Sequence, residues 1–174
     1  LRQSNPQGWD SFLERSLNQL ASLPHPPADQ IDTLLNLTQN DVRFTDARVK
    51  LLRSLLLRDE YSMRNPRLPD ALYSSPEFRN PSSGLFEAYV RNWGLYEDQY
   101  QPQVLARAFG ALPPSDPRLK AVLFDFQFES ISPLLADARM RRNRLVKVIP
   151  ELLKSPAYRG TPEGGRLLNH LHQK

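Results

Sequence analysis

The stretch NPQGWDSFLERSLNQLASL, residues 5–23, sets the period on which the fold is read. Trp9, Phe12, Leu13, Leu17 and Leu20 fall at i, i+3, i+4, i+8 and i+11, which is one stripe of an amphipathic helix. Ser4 or Asn5 is placed to cap it. Pro6 suits the first turn, where its missing N–H has no intrahelical partner to lose. Pro24, Pro26 and Pro27 stop it.

The same grammar extends along the chain. A second helix is predicted from about Pro27 to Thr38, with Ile31, Leu34, Leu35 and Leu37 as its stripe. A third opens with Thr45 as cap and Phe44 as staple and runs through Leu52, Leu55 and Leu56 to about Arg58. Residues 64–83 are proline-broken, with a short turn around Asp70–Tyr73. Ser83 then caps a helix that ends at Gly94, and Pro102 opens one that ends at Pro113-Pro114. Asp116-Pro117, Ser132-Pro133 and Thr161-Pro162 read as cap-plus-first-turn pairs for three more, the second of them bent or ended by Pro150.

Only VLFDFQFES, residues 122–130, competes as a strand. Leu119, Val122, Leu123 and Phe126 form a helical stripe, so helix is preferred there. Sixteen prolines are incompatible with a sheet interior but natural at helix boundaries. The expectation is an all-α fold: a bundle or short array of about seven or eight antiparallel helices with proline-punctuated connectors. It is read as one domain over residues 1–174, with a possible subdivision near 64–83.

One phrase occurs twice: SSPEFRNPSSGLF at 74–86 and KSPAYRGTPEGGRLL at 154–168. Each reads as a turn after a long helix. Ser75-Pro76 and Ser155-Pro156 start it, Phe78 and Tyr158 anchor it inward, and Arg79 and Arg159 reach the carbonyls of the preceding helix. DARVKLL (46–52) and DARMRRN (137–143) also echo, but at a different offset, which favours shared helix punctuation over duplication.

A chain of 174 residues buries roughly 70% of its unfolded surface, enough for a core without staples. With no cysteine, disulfides, thiolate metal sites and cysteine nucleophiles are excluded. The net charge of +4 is modest and rests on 18 arginines against 5 lysines. No apolar run reaches the ~18 residues of a membrane span. The chain starts at Leu1, as a fragment or a processed chain does, so the reading is a soluble protein, cytoplasmic or, if processed, periplasmic or secreted.

Two segments stand out as candidate binding surfaces. ARMRRNRLVK, residues 138–147, concentrates Arg139, Arg141, Arg142, Arg144 and Lys147, a docking face for an acidic partner or a solvated helix side. Trp93, Tyr96 and Tyr100 recur at i, i+3 and i+7; such residues serve as interface anchors, although Trp93 suits a core plug better.

Catalytic patterns are thin. His170 and His172 diverge on a helix, no phosphate-cradling glycine pattern or nucleophile elbow occurs, and neither a metal site nor a cofactor is implied. The leading expectation is a non-catalytic helical protein–protein interaction or adaptor domain, part of a larger bacterial assembly or regulatory complex, whose partner presents an acidic surface. The alternative is a nucleic-acid-associated helical regulator using the 139–147 basic segment. A secreted effector or enzyme without a recognisable motif stands third.

Overall fold

The computed structural model describes residues 6–56, 72–95, 102–123 and 146–172. All regular structure among them is helical, and no strand occurs among the described residues. The helices are α1 (Pro6–Ser22), α2 (Ala28–Thr38), α3 (Thr45–Leu56), α4 (Pro76–Arg79), α5 (Leu85–Leu95), α6 (Pro102–Gly110), α7 (Pro117–Leu123) and α8 (Pro162–His172). Single 3₁₀ turns occupy Val42–Phe44 and Pro81–Ser83, and residues 72–74 and 146–152 are also helical. The all-α expectation is met. The strand-or-helix choice at 122–130 falls mostly outside the described residues, as does the helix expected after Ser132-Pro133 up to residue 145.

The chain divides into two compact units, Leu1–Ala88 and Tyr89–Lys174. In the first, α1 packs against both α3 and α2. The stripe read from the sequence is the buried one: Leu13, Leu17 and Leu20 meet Leu51, Leu52 and Leu55 of α3 and Ile31, Leu34 and Leu35 of α2 in the core. Each such leucine contributes roughly 1.5–3 kcal/mol relative to leaving it exposed. Phe78 closes this core, with its ring 5.7 Å from Tyr73 and 5.9 Å from Phe86.

In the second unit the core gathers Tyr89, Val90 and Trp93 of α5, Leu105 and Phe109 of α6, Leu119 and Val122 of α7, and Val148, Leu152, Tyr158 and Leu167. Trp93 meets Phe109 edge to face at 6.2 Å.

Most of the expected punctuation is present. Ser75 Oγ accepts the Phe78 N–H at 3.2 Å, Asp116 Oδ1 accepts the Arg118 N–H at 2.9 Å, and Thr161 Oγ1 accepts the Gly164 N–H at 3.1 Å. Both copies of the repeated phrase bury their ring, Phe78 and Tyr158, completely. Both also use a glycine at positive φ to turn into the next helix: Gly84 at 64° and Gly160 at 74°.

One local expectation changes. Thr45 is not the cap before α3: the chain enters through the 3₁₀ turn Val42–Phe44, capped by Asp41, whose carboxylate accepts the Arg43 N–H. The helix that carries Pro150 ends two residues after it, at residue 152. Arg79 and Arg159 are exposed; Arg48, on Thr38 O, and Arg53, on Ser83 O, reach helix-end and turn carbonyls.

Candidate functional site

Of the residues singled out from the sequence, Arg139, Arg141, Arg142, Arg144, Tyr96 and Tyr100 lie outside the described residues. Lys147 is exposed on helical residues 146–152. Trp93 is wholly buried and belongs to the core of the second unit, so it presents no surface to a partner.

The first unit carries two features that the sequence reading did not locate. The first is an apolar groove of about 400 Å³ along α1 and α2, lined among others by Trp9, Phe12, Leu13, Leu20, Leu34 and Leu37. It exists because the apolar stripe of α1 is wider than α3 and α2 together cover. Leu13 and Leu20 face the core, whereas Phe12 is left 50% exposed and Leu37 of α2 54% exposed. Trp9 stacks on Phe12 with ring centres 5.6 Å apart, which fixes both rings on the groove wall. Ser16, Gln19, Gln30 and Thr33 give it a polar rim, and Asp29 is the charged residue lining it.

The second is a mixed cavity of about 480 Å³ along the C-terminal half of α2, lined by Asp32, Asn36, Gln39, Asn40, Arg48, Glu77, Ser74 and Ser75 and by Leu35, Leu52 and Pro76. At its base lies a buried ion pair, with Arg48 and Glu77 each 4% exposed. The guanidinium Nε donates to Glu77 Oε1 at 2.9 Å, and Nη2 donates to the same oxygen. Nη1 donates to Thr38 O, and to Asp41 O at 3.1 Å, so Arg48 also closes the end of α2. The pairing is one-sided: Glu77 Oε2 is buried and has no hydrogen-bond partner among the described residues. A charged oxygen held this way is costly unless a donor reaches it.

A depression of about 380 Å³ borders both features. It shares Trp9, Leu13 and Leu37 with the groove, and Asn36, Gln39 and Asn40 with the cavity. On its flank Arg43 donates to Asp10 and to Asp41, the latter at 2.6 Å. The side-chain hydrogen bonds from Arg43, then its backbone N–H, hold the Asp41 carboxyl at about 2.

The hairpin itself is acidic. Asp10, Glu14, Asp29 and Asp32 stand against Arg15 alone within α1 and α2, a local charge of −3 on a chain of net +4. Among the described residues there is no cluster of three metal-ligating side chains, and no helix is long and apolar enough to cross a membrane. No family model, curated protein or solved structure matches the chain.

Proposed function

We propose that this protein is a non-catalytic helical docking module that holds an apolar helical segment of another protein in its α1–α2 groove. The observation that carries this reading is the pair of exposed anchors, Phe12 and Leu37, on either side of a preformed apolar groove. Grooves between helices take amphipathic helices through side chains at i, i+3, i+4 and i+7. Aromatic residues in such places are favoured as binding anchors. A second copy of the same hairpin is a poor occupant, because Asp29, the charged residue lining the groove, would face its own copy. The occupant is therefore a segment of a different protein, apolar on one side.

The test is a selection from a displayed random peptide library, with peptides ~16 residues long so that a helix spans ~24 Å. The wild-type protein is expected to enrich peptides with apolar residues at helical spacing. A Phe12→Asp variant with an unchanged circular-dichroism spectrum is expected to lose that enrichment. Peptides without helical apolar spacing, or equal enrichment on the variant, would defeat the reading.

The exposed Lys147 belongs to the basic segment 139–147, which we propose as a second surface, for an acidic partner. Retention on heparin at low salt that falls steeply as salt rises would instead favour nucleic acid.

A further inference from the structure

We infer that the helical segment taken up by the α1–α2 groove carries a lysine or arginine about two helical turns from its main apolar anchor, where it pairs with Asp29. The inference rests on the docking reading above and adds the charge and register of the partner.

The groove has two unlike ends. Trp9 and Phe12 lie near the start of α1 and Leu37 near the end of α2, and Trp9 and Leu37 also share the wall of the bordering depression. The two helices therefore run antiparallel, and the exposed anchors Phe12 and Leu37 stand at one end. Asp29, in the first turn of α2, lines the opposite end. Leu37 follows Asp29 by eight positions, roughly 12 Å along a helix axis.

The carboxylate at that end is exposed and unused. Asp10, Asp41 and Asp116 are each paired with an arginine, whereas Asp29 has no ion pair or side-chain hydrogen bond among the described residues. The Thr33 hydroxyl, on the same wall, donates to the Asp29 backbone carbonyl at 2.7 Å and not to the carboxylate. No cation lines the groove among the described residues. A helix laid along the groove covers this carboxylate, and covering it without a partner costs free energy. A cation at that place in the ligand offsets the cost and disfavours segments with an acid or an apolar residue there. In either chain direction the ~12 Å spacing puts that cation about seven or eight positions from the residue that packs between Phe12 and Leu37.

The same displayed library reads the charge separately from the docking itself. Selected peptides are expected to place Lys or Arg about seven or eight positions from the apolar anchor. A synthetic copy of the strongest peptide with that cation replaced by Gln is expected to bind about threefold more weakly, as loss of a solvent-reached ion pair does. Asp29→Asn is expected to bind the two peptides equally. Glu14→Gln, at an exposed acid outside the lining, is expected to keep the difference. Asp29→Lys, with an unchanged circular-dichroism spectrum, is expected to select Asp or Glu at the same place.

A helical apolar consensus without a cation at that spacing, a Gln peptide that binds as tightly, or a difference that survives Asp29→Asn overturns this inference and leaves the docking reading standing. A difference lost equally in Glu14→Gln assigns the preference to general attraction by the acidic hairpin and overturns it as well. If no helical consensus appears, both fall.

Discussion

Replacing Arg48 with methionine isolates the buried ion pair of the first unit. The side chain makes two bonds to Glu77 Oε1 and one each to Thr38 O and Asp41 O, at 4% exposure. Methionine fills much of the same volume, so the main loss is electrostatic. A buried carboxylate remains without its cation, and two carbonyls lose a donor. Breaking a buried pair in this way costs about 3–5 kcal/mol. Glu77→Met strands the guanidinium instead and is expected to cost a similar amount. The double variant removes both charges, and Thr38 O and Asp41 O each keep a backbone donor, from Asp41 and Phe44, so its cost is about 1 kcal/mol. The double variant should therefore be more stable than either single one. Urea unfolding followed by far-ultraviolet circular dichroism reads this as a midpoint about 2 M lower for each single variant and about 0.5 M lower for the double, with a slope near 2 kcal/mol/M. A midpoint for Arg48→Met within a few tenths of a molar of wild type, or a double variant less stable than both singles, would refute the assignment of a buried, mutually dependent pair.

The adjacent glycines of α8 should respond with opposite sign. A Cβ at Gly164 would stand 1.9 Å from the backbone oxygen of Tyr158, so Gly164→Ala should destabilise by about 1–3 kcal/mol, while Gly165, with nothing within 4 Å, should gain roughly 0.5–1 kcal/mol as alanine. Thermal unfolding ranks the two directly. Burial, aided by the charge of Glu163, pushes the Tyr158 hydroxyl up to about 12. Because the raised value favours the protonated native state, its contribution is complete below pH 10 and is lost as the pH climbs towards 12. An ultraviolet titration of phenolate should show one tyrosine ionising late, and Tyr158→Phe should remove it. Ser75→Ala deletes the cap on the Phe78 N–H and is expected to cost about 1 kcal/mol in urea unfolding.

Much of the architecture was legible because it is written in neighbouring residues. The stripe of α1, the prolines at helix starts and the caps Ser75, Asp116 and Thr161 act within one or two turns. The misread entry to α3 shows where that stops. The sequence reading puts the cap at Thr45, and the 3₁₀ turn before it places the cap at Asp41 instead. The core placement read for Trp93 also holds. Trp93 has the composition of an interface anchor, yet Phe109 and the rest of the second core enclose it.

By itself the sequence determined the helical class, the places where helices begin and the absence of thiol chemistry, since period, capping and composition are local properties. Only the tertiary structure decided which part of an apolar stripe stays uncovered. Leu17 and Phe12 belong to one apolar stripe of α1 but lie about 140° apart around it, and neighbouring helices bury the first completely and leave the second half exposed. Only the tertiary structure, likewise, brought Glu77 to Arg48, 29 positions earlier, and Asp10 to Arg43, 33 positions later. Such pairings depend on how whole helices pack, and no residue's immediate neighbours encode them.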